Sequence, residues 1–225
     1  MISYGGITVN NAVIHKAGTS QISLNYDPRG NLFRFYGYSL SNMLQLELLN
    51  IGRFNDTNPN EYNISRLYST YLSENNLNYR FGGELSIFSP QKDDLFWLAF
   101  RTSVGRNDET NQGYLFGELI NTLRLNNKGV FNLAPKYFFR GVERIGGGIG
   151  VSSYINLFDN LQFITEINTS FKNDSDFKFS LALRYSLQPE KSIDLYYLNA
   201  EGILDIGQLL EDKEDHLRFK LNFLY

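Results

Sequence analysis

The sequence predicts an all-β protein, a closed antiparallel transmembrane β-barrel of about 12 strands, with 14 as the alternative count. Three observations predict it. From residue 19 to the end of the chain, segments of about ten residues alternate apolar and polar side chains, and successive side chains of a strand point to opposite faces. The polar faces carry many charges, too many for the dry core of a soluble sandwich. No long helix is available to cover the apolar faces, so hydrocarbon is the partner that the pattern implies.

Composition agrees. The 225 residues include 15% aromatics but five Pro and one Trp, with a mean hydropathy of -0.30, as suits a barrel in which only alternate residues meet lipid. The longest apolar run, LFWLAF at 95–100, is far short of the ~20 residues of a spanning helix. A net charge of -3 argues against a basic nucleic-acid surface. The absence of Cys fits export and many cytosolic proteins alike. The opening MISYGGITVNN has neither the basic start nor the apolar stretch of a secretion signal, so a mature form with an added Met, or a fragment, is expected.

Residues 1–18 read as an N-terminal segment or plug and 19–225 as the barrel. In the first part Gly5-Gly6 and Asn10-Asn11 supply turn chemistry around the short pieces 7–9 and 12–14. Residues 21–26 (QISLNY), the turn Asp27-Pro28-Arg29-Gly30 and the aromatic-rich 32–40 form a hairpin. Ser41-Asn42 then leads into 43–51, with Leu44, Leu46 and Leu48 on one face. Residues 53–60 are a polar loop. In 62–74, Ile64, Leu67, Tyr68, Tyr71 and Leu72 recur at helical spacing, which predicts a short amphipathic helix, an irregular strand being the alternative.

Alternation is clean beyond residue 76. Leu77, Tyr79, Phe81, Leu85 and Ile87 share a face, as do Phe96, Leu98 and Phe100 in the next strand. Equivalent rows follow through to Leu181, Leu183 and Tyr185, then Ile193, Leu195 and Tyr197. Loops should be long at one end and short at the other. Residues 53–76, 105–113, 141–144, 172–176 and 201–215 are expected outside the cell, and 41–42, 89–94, 126–129, 158–160 and 188–191 on the periplasmic side.

The last ten residues, HLRFKLNFLY, place Leu217, Phe219, Leu221, Phe223 and Tyr225 on one face and Arg218, Lys220 and Asn222 on the other. An unpaired apolar edge of this kind invites association, and closure removes it. The segment resembles the C-terminal signal of bacterial outer-membrane β-barrels, alternating apolar residues that end in an aromatic. That resemblance implies the outer membrane of a Gram-negative-type bacterium, its lipid, and the barrel-assembly machinery as a partner. Gly6, Ile7, Ala12, Gly18, Thr19 and Tyr26 are similar in order to the opening of the YjbH-type barrels linked to exopolysaccharide secretion, with Asn10-Asn11 where that family usually has Pro before the Ala. This likeness implies polysaccharide-export proteins as partners.

Arg80, Glu84, Arg101, Glu118, Arg124, Lys136, Arg140, Glu166, Lys178 and Arg184 project from the polar faces and are the expected lumen-lining residues. Basic residues outnumber acidic ones among them, which favours anionic or neutral polar solutes. Exchange of Arg101 and Arg140 for Glu is then expected to reverse any anion preference. Mutual pairing that fills a closed barrel is the competing expectation. The cluster Gly146-Gly147-Gly148 and Gly150 precedes no helix, so it leaves room for a bulky neighbour or bends a strand. Tyr114, Trp97, Tyr137 and Tyr225 are expected in an interfacial girdle. His15 and His216 are far apart and stand in no metal-ligand spacing, and no GxSxG motif occurs. No catalytic residues, metal or cofactor are therefore expected. The expected function is a passive channel or facilitator for small polar solutes. A non-conducting assembly or interaction barrel associated with polysaccharide export is the first alternative, and a soluble β-sandwich binding module the second.

Overall fold

The computed structural model describes residues 6–27, 31–53, 72–73, 76–77, 79–88, 95–107, 112–125, 128–140, 144–171, 177–200, 205–209 and 211–225. Twelve strands form the barrel: β1 (Ser20–Asp27), β2 (Asn31–Ser39), β3 (Leu44–Arg53), β4 (Tyr79–Phe88), β5 (Phe96–Asn107), β6 (Gln112–Leu125), β7 (Gly129–Arg140), β8 (Arg144–Phe158), β9 (Leu161–Ser170), β10 (Lys178–Gln188), β11 (Lys191–Ala200) and β12 (Glu211–Leu224). Each pairs with its sequence neighbour in antiparallel register, and β12 closes the sheet on β1 through pairs such as Leu24 with Leu221. Closure leaves no strand edge to be satisfied by lipid, which cannot hydrogen-bond.

The side-chain period of two sets the cross-section. On β10, Leu181, Leu183 and Tyr185 are exposed outward, whereas Lys178, Ser180, Ala182 and Arg184 are buried inward. The same sorting places Phe81 and Leu85 of β4, Leu115 and Leu119 of β6, and Leu217 and Phe219 of β12 on the exterior. The fold is thus a transmembrane barrel of twelve strands, oily outside and polar inside. Register shifts between Ser86 and Phe88, Asn156 and Phe158, and Ser186 and Gln188 all fall beside turns at the end of the barrel where Tyr225 lies. There the extra residue bends each strand into its turn.

Four sequence expectations change. Within the expected helix at 62–74, Leu72–Ser73 is extended and pairs with Asn76–Leu77 in a separate two-stranded ladder; the rest of that stretch lies outside the described residues. The loop expected over 201–215 is shorter, because β12 already begins at Glu211, preceded by a 3-10 turn at Asp205–Leu209. Tyr114 is buried on the inner face, where its hydroxyl donates to Asp205 Oδ2 at 2.6 Å. Trp97 packs inside against Ala12, Ala99 and Ile120. Both aromatics share the parity of inward residues on their strands, Glu118 on β6 and Arg101 on β5, and parity outweighs residue type. Tyr137 and Tyr225 do face outward.

Two pieces of chain enter the barrel. Ile7, Thr8, Val9, Asn11 and Ala12 are buried within it, as are Asp205, Gln208 and Leu209 from the opposite end. Glycines make room for both. A Cβ on Gly6 would overlap Glu166 Oε1, the Val9 carbonyl oxygen and the Tyr154 hydroxyl. A Cβ on Gly148 would overlap the Thr169 carbonyl and crowd Leu209, and one on Gly146 would overlap the Phe138 ring. The glycine cluster therefore accommodates bulky neighbours.

Candidate functional site in the barrel interior

The strand register sets charges of opposite sign side by side. Glu84 of β4 lies opposite Arg101 of β5, Arg101 opposite Glu118 of β6, and Glu118 opposite Lys136 of β7. Opposite charges in directly facing positions attract, and around Arg101 and Arg80 hydrogen bonds complete the network. Arg101 donates from Nη2 to Glu47 Oε2 at 2.8 Å, from Nε to Glu47 Oε1 at 2.9 Å and from Nη1 to Glu118 Oε1 at 2.9 Å. Arg80 donates from Nε to Asp205 Oδ2 at 2.6 Å and from Nη2 to Asp205 Oδ1 at 3.0 Å and to Glu47 Oε2 at 3.1 Å. Every member of this network is almost wholly shielded from solvent. A buried charge requires such pairing, because desolvation costs several kcal/mol per ion.

Asp205 is held in the left-handed region at φ 54°, a conformation that Asp tolerates better than most residues. Burial alone would raise its carboxyl pKa. The charge and hydrogen bonds of Arg80, with Arg101 and the Tyr114 hydroxyl, outweigh that and lower it from 3.8 to about 2. The 3-10 turn is thereby pinned to the wall by an ionised side chain.

Lys136 ties the two inserts together. Its Nζ donates to Asn168 Oδ1 at 2.7 Å, to the Thr8 carbonyl oxygen at 3.3 Å and to Gln208 Oε1, and it stands 3.7 Å from Glu118 Oε2. Glu166 secures the N-terminal segment. Its Oε1 accepts the Ile7 N–H at 2.7 Å, and its Oε2 accepts the Thr8 N–H at 2.6 Å, the Thr8 hydroxyl at 2.7 Å and the Ser180 hydroxyl at 2.5 Å. The Tyr154 hydroxyl donates to the Val9 carbonyl at 2.6 Å and the Thr122 hydroxyl accepts the Ala12 N–H at 2.8 Å. A further pair sits elsewhere on the wall, where Arg184 grips Asp194 through two bonds of 2.7 and 2.8 Å and Asn222 donates to the same carboxylate.

Arg80, Glu84, Arg101, Glu118, Lys136, Glu166, Lys178 and Arg184 are all buried on the inner face. Arg124 is half-buried near the end of β6, and Arg140 lies in β7 opposite Tyr114, its side chain outside the described residues. The side chain of His216 is likewise outside them. His15 is half-buried, and burial pushes its imidazole pKa down. Sequence reasoning missed Glu47, Asp194, Asp205 and Gln208, and placed Arg218 and Lys220 on a polar face without naming them as lumen-lining. With these included, and with the half-buried Arg124 and the Arg140 side chain left out of the count, the buried ionic residues among those described are seven basic and six acidic, so the surplus of four among the ten named residues falls to one among the buried ones. Among the described residues, no group of three or more His, Cys, Asp or Glu side chains is arranged to hold a metal ion.

An apolar exterior around an ionic interior defines an outer-membrane-type β-barrel. Solved structures share the fold. The KdgM porin matches with a TM-score of 0.59 and 9% identity over 92% of this chain and 98% of that one. The COG4313 outer membrane channel from Pseudomonas putida F1 matches with a TM-score of 0.59 and 10% identity over 95% and 97% of the two chains. The NanC porin matches with a TM-score of 0.57 and 10% identity over 91% and 98%. No protein-family model and no curated protein matches the sequence.

Proposed function

We propose that the protein is a channel in the outer membrane of a Gram-negative-type bacterium, a passive facilitator for small polar solutes whose lumen is narrowed by residues 6–12 acting as a plug and by the turn at 205–209. The observation that carries this reading is the ionic lining itself. A lumen that passes polar solutes requires a polar interior, and thirteen ionic side chains are buried in this one. Structural likeness to porins supports it. One KdgM porin structure holds a disordered oligogalacturonate. In the present chain the near balance of basic and acidic groups gives only a slight field toward anions, so uncharged polar solutes suit the interior at least as well.

A second reading has its own support, since the two inserts and the Glu47–Arg80–Arg101–Glu118 network obstruct the interior. On that reading the barrel is non-conducting and works with other proteins, for example those of polysaccharide export. Planar-bilayer recording on the full chain separates the two. The channel reading expects discrete conductance from protein that shows heat-modifiable gel migration; silence from such protein selects the second.

A further inference from the structure

Residues 6–12 lie inside the barrel without joining its sheet, for no strand of the wall pairs with them. The Gly6 N–H closes a turn on the Val9 carbonyl at 3.2 Å. The wall holds this bent segment through side chains of β6–β9, and most of what they grip is main chain. Glu166 accepts the Ile7 and Thr8 N–H groups, Lys136 donates to the Thr8 carbonyl, Tyr154 donates to the Val9 carbonyl, and Thr122 accepts the Ala12 N–H. Main-chain N–H and C=O groups are common to all peptides, so this part of the contact is independent of sequence.

Side chains of the segment add selection. The Thr8 hydroxyl donates to Glu166 Oε2 at 2.7 Å and accepts from Asn168 Nδ2 at 2.8 Å, and Asn10 Nδ2 donates to Glu118 Oε1 at 2.9 Å. Ile7 joins the apolar cluster of Tyr154, Ile164, Tyr196 and Leu198, and Ala12 joins Ala99 and Ile120. Position 6 selects glycine, because a Cβ there would overlap Glu166, Tyr154 and the Val9 carbonyl. An apolar socket beside a few buried polar groups aimed at the ligand is the make-up of a binding site, and here the ligand is a peptide.

We propose that the inner wall of β6–β11 is a receptor for a short, turn-forming peptide, occupied in cis by residues 6–12, and that a segment of another chain can take their place if it offers glycine, a branched apolar residue and threonine in succession. The segment joins β1 beside the end of the chain, where the Ser20 N–H donates to the Tyr225 carbonyl, so a second chain reaches the site from that end of the barrel. The tether protects the site. A linked ligand acts at an effective concentration of the order of millimolar, and a free one must outcompete it. This inference goes beyond the channel reading and holds whether or not the barrel conducts.

For the test, the full chain carries a site for a sequence-specific protease inserted after Lys16, which is exposed. The protein is folded in detergent and cut there, and a fluorescent peptide with the sequence of residues 6–12, GITVNNA, is added. Binding is read by anisotropy, and the severed piece by mass spectrometry. The peptide should bind the cut barrel saturably, releasing the piece in equal amount, and should bind the uncut chain at least about tenfold more weakly. Peptides carrying Thr8→Val, which loses the bonds to Glu166 and Asn168, or Gly6→Ala should bind the cut barrel at least about tenfold more weakly than the natural sequence. Absence of exchange, or equal binding of the three peptides, overturns the proposal. The readout is binding, so a barrel silent in bilayers can pass this test and one that conducts can fail it.

Discussion

Replacement of Glu166 by Gln tests whether a carboxylate holds the N-terminal segment in the barrel. The carboxylate accepts four hydrogen bonds, one on Oε1 and three on Oε2. A glutamine offers one acceptor oxygen and an NH2. With its oxygen toward Thr8 and Ser180, the NH2 meets the Ile7 N–H donor to donor. The lost bond leaves a buried N–H unsatisfied at about 1–3 kcal/mol. The three remaining bonds lose their charge assistance, which roughly doubles the strength of such bonds. A net weakening of docking by about 3 kcal/mol corresponds to about a hundredfold in the docking equilibrium. Amide exchange over residues 6–12 should accelerate by about that factor, while strands β6–β9 keep their protection. Gly6→Ala reaches the same anchor from the other side, since its methyl overlaps Glu166 Oε1 and the Val9 carbonyl. The double variant should therefore exchange no faster than the worse single one. Unchanged exchange in Glu166→Gln, with the barrel folded, refutes the anchor.

Acid should release the turn at 205–209. A carboxyl whose folded pKa is depressed from 3.8 to about 2 stabilises the docked turn above pH ~4 and loses that contribution as pH falls to ~2, for a total of about 2–3 kcal/mol. Exchange in 205–209, corrected for its intrinsic pH dependence, should rise across that window in the natural chain and stay level in Asp205→Asn; a level profile in the natural chain contradicts the assignment. Arg101→Glu should prevent folding rather than reverse selectivity, because it sets a carboxylate among Glu47, Glu84 and Glu118 and removes the partner of two of them. Breaking such a buried pair costs about 3–5 kcal/mol, so the fraction of heat-modifiable barrel should fall sharply, and a normal yield would show that the network is dispensable.

What the sequence made legible follows from periodicity. A period of two identifies inward residues without any knowledge of their partners, so Arg80, Glu118 and Arg184 could be read from their outward neighbours. The same rule placed Lys220, which alternates with Phe219 and Leu221, on a polar face, and it also reaches Glu47, between Leu46 and Leu48, and Asp194, between Ile193 and Leu195. Glu47 and Asp194 were within reach of the method. Asp205 was not, for it belongs to a 3-10 turn with no repeating pattern. Nor was the bond between Thr8 and Glu166, which are 158 residues apart, because strand periodicity says which face a side chain is on and nothing about what chain lies in front of it. The girdle reading of Trp97 and Tyr114 failed for a related reason: an aromatic near a strand end favours an interface in general, whereas position along the strand decides the face.

The arrangement of inserts has a thermodynamic consequence. Lys136 donates to Thr8 from the N-terminal segment and to Gln208 from the 3-10 turn, so each insert helps to satisfy the ammonium that the other also needs. Withdrawal of one leaves a buried cation with fewer acceptors and raises the cost of withdrawing the second, unless water follows. Water that does follow can replace the lost acceptor and so ease departure of the other insert. The size of the coupling between them is therefore set by hydration of the interior, and by linkage it is the same whichever insert moves first. A dry interior makes the two inserts leave together reluctantly, and a wet one lets either leave alone.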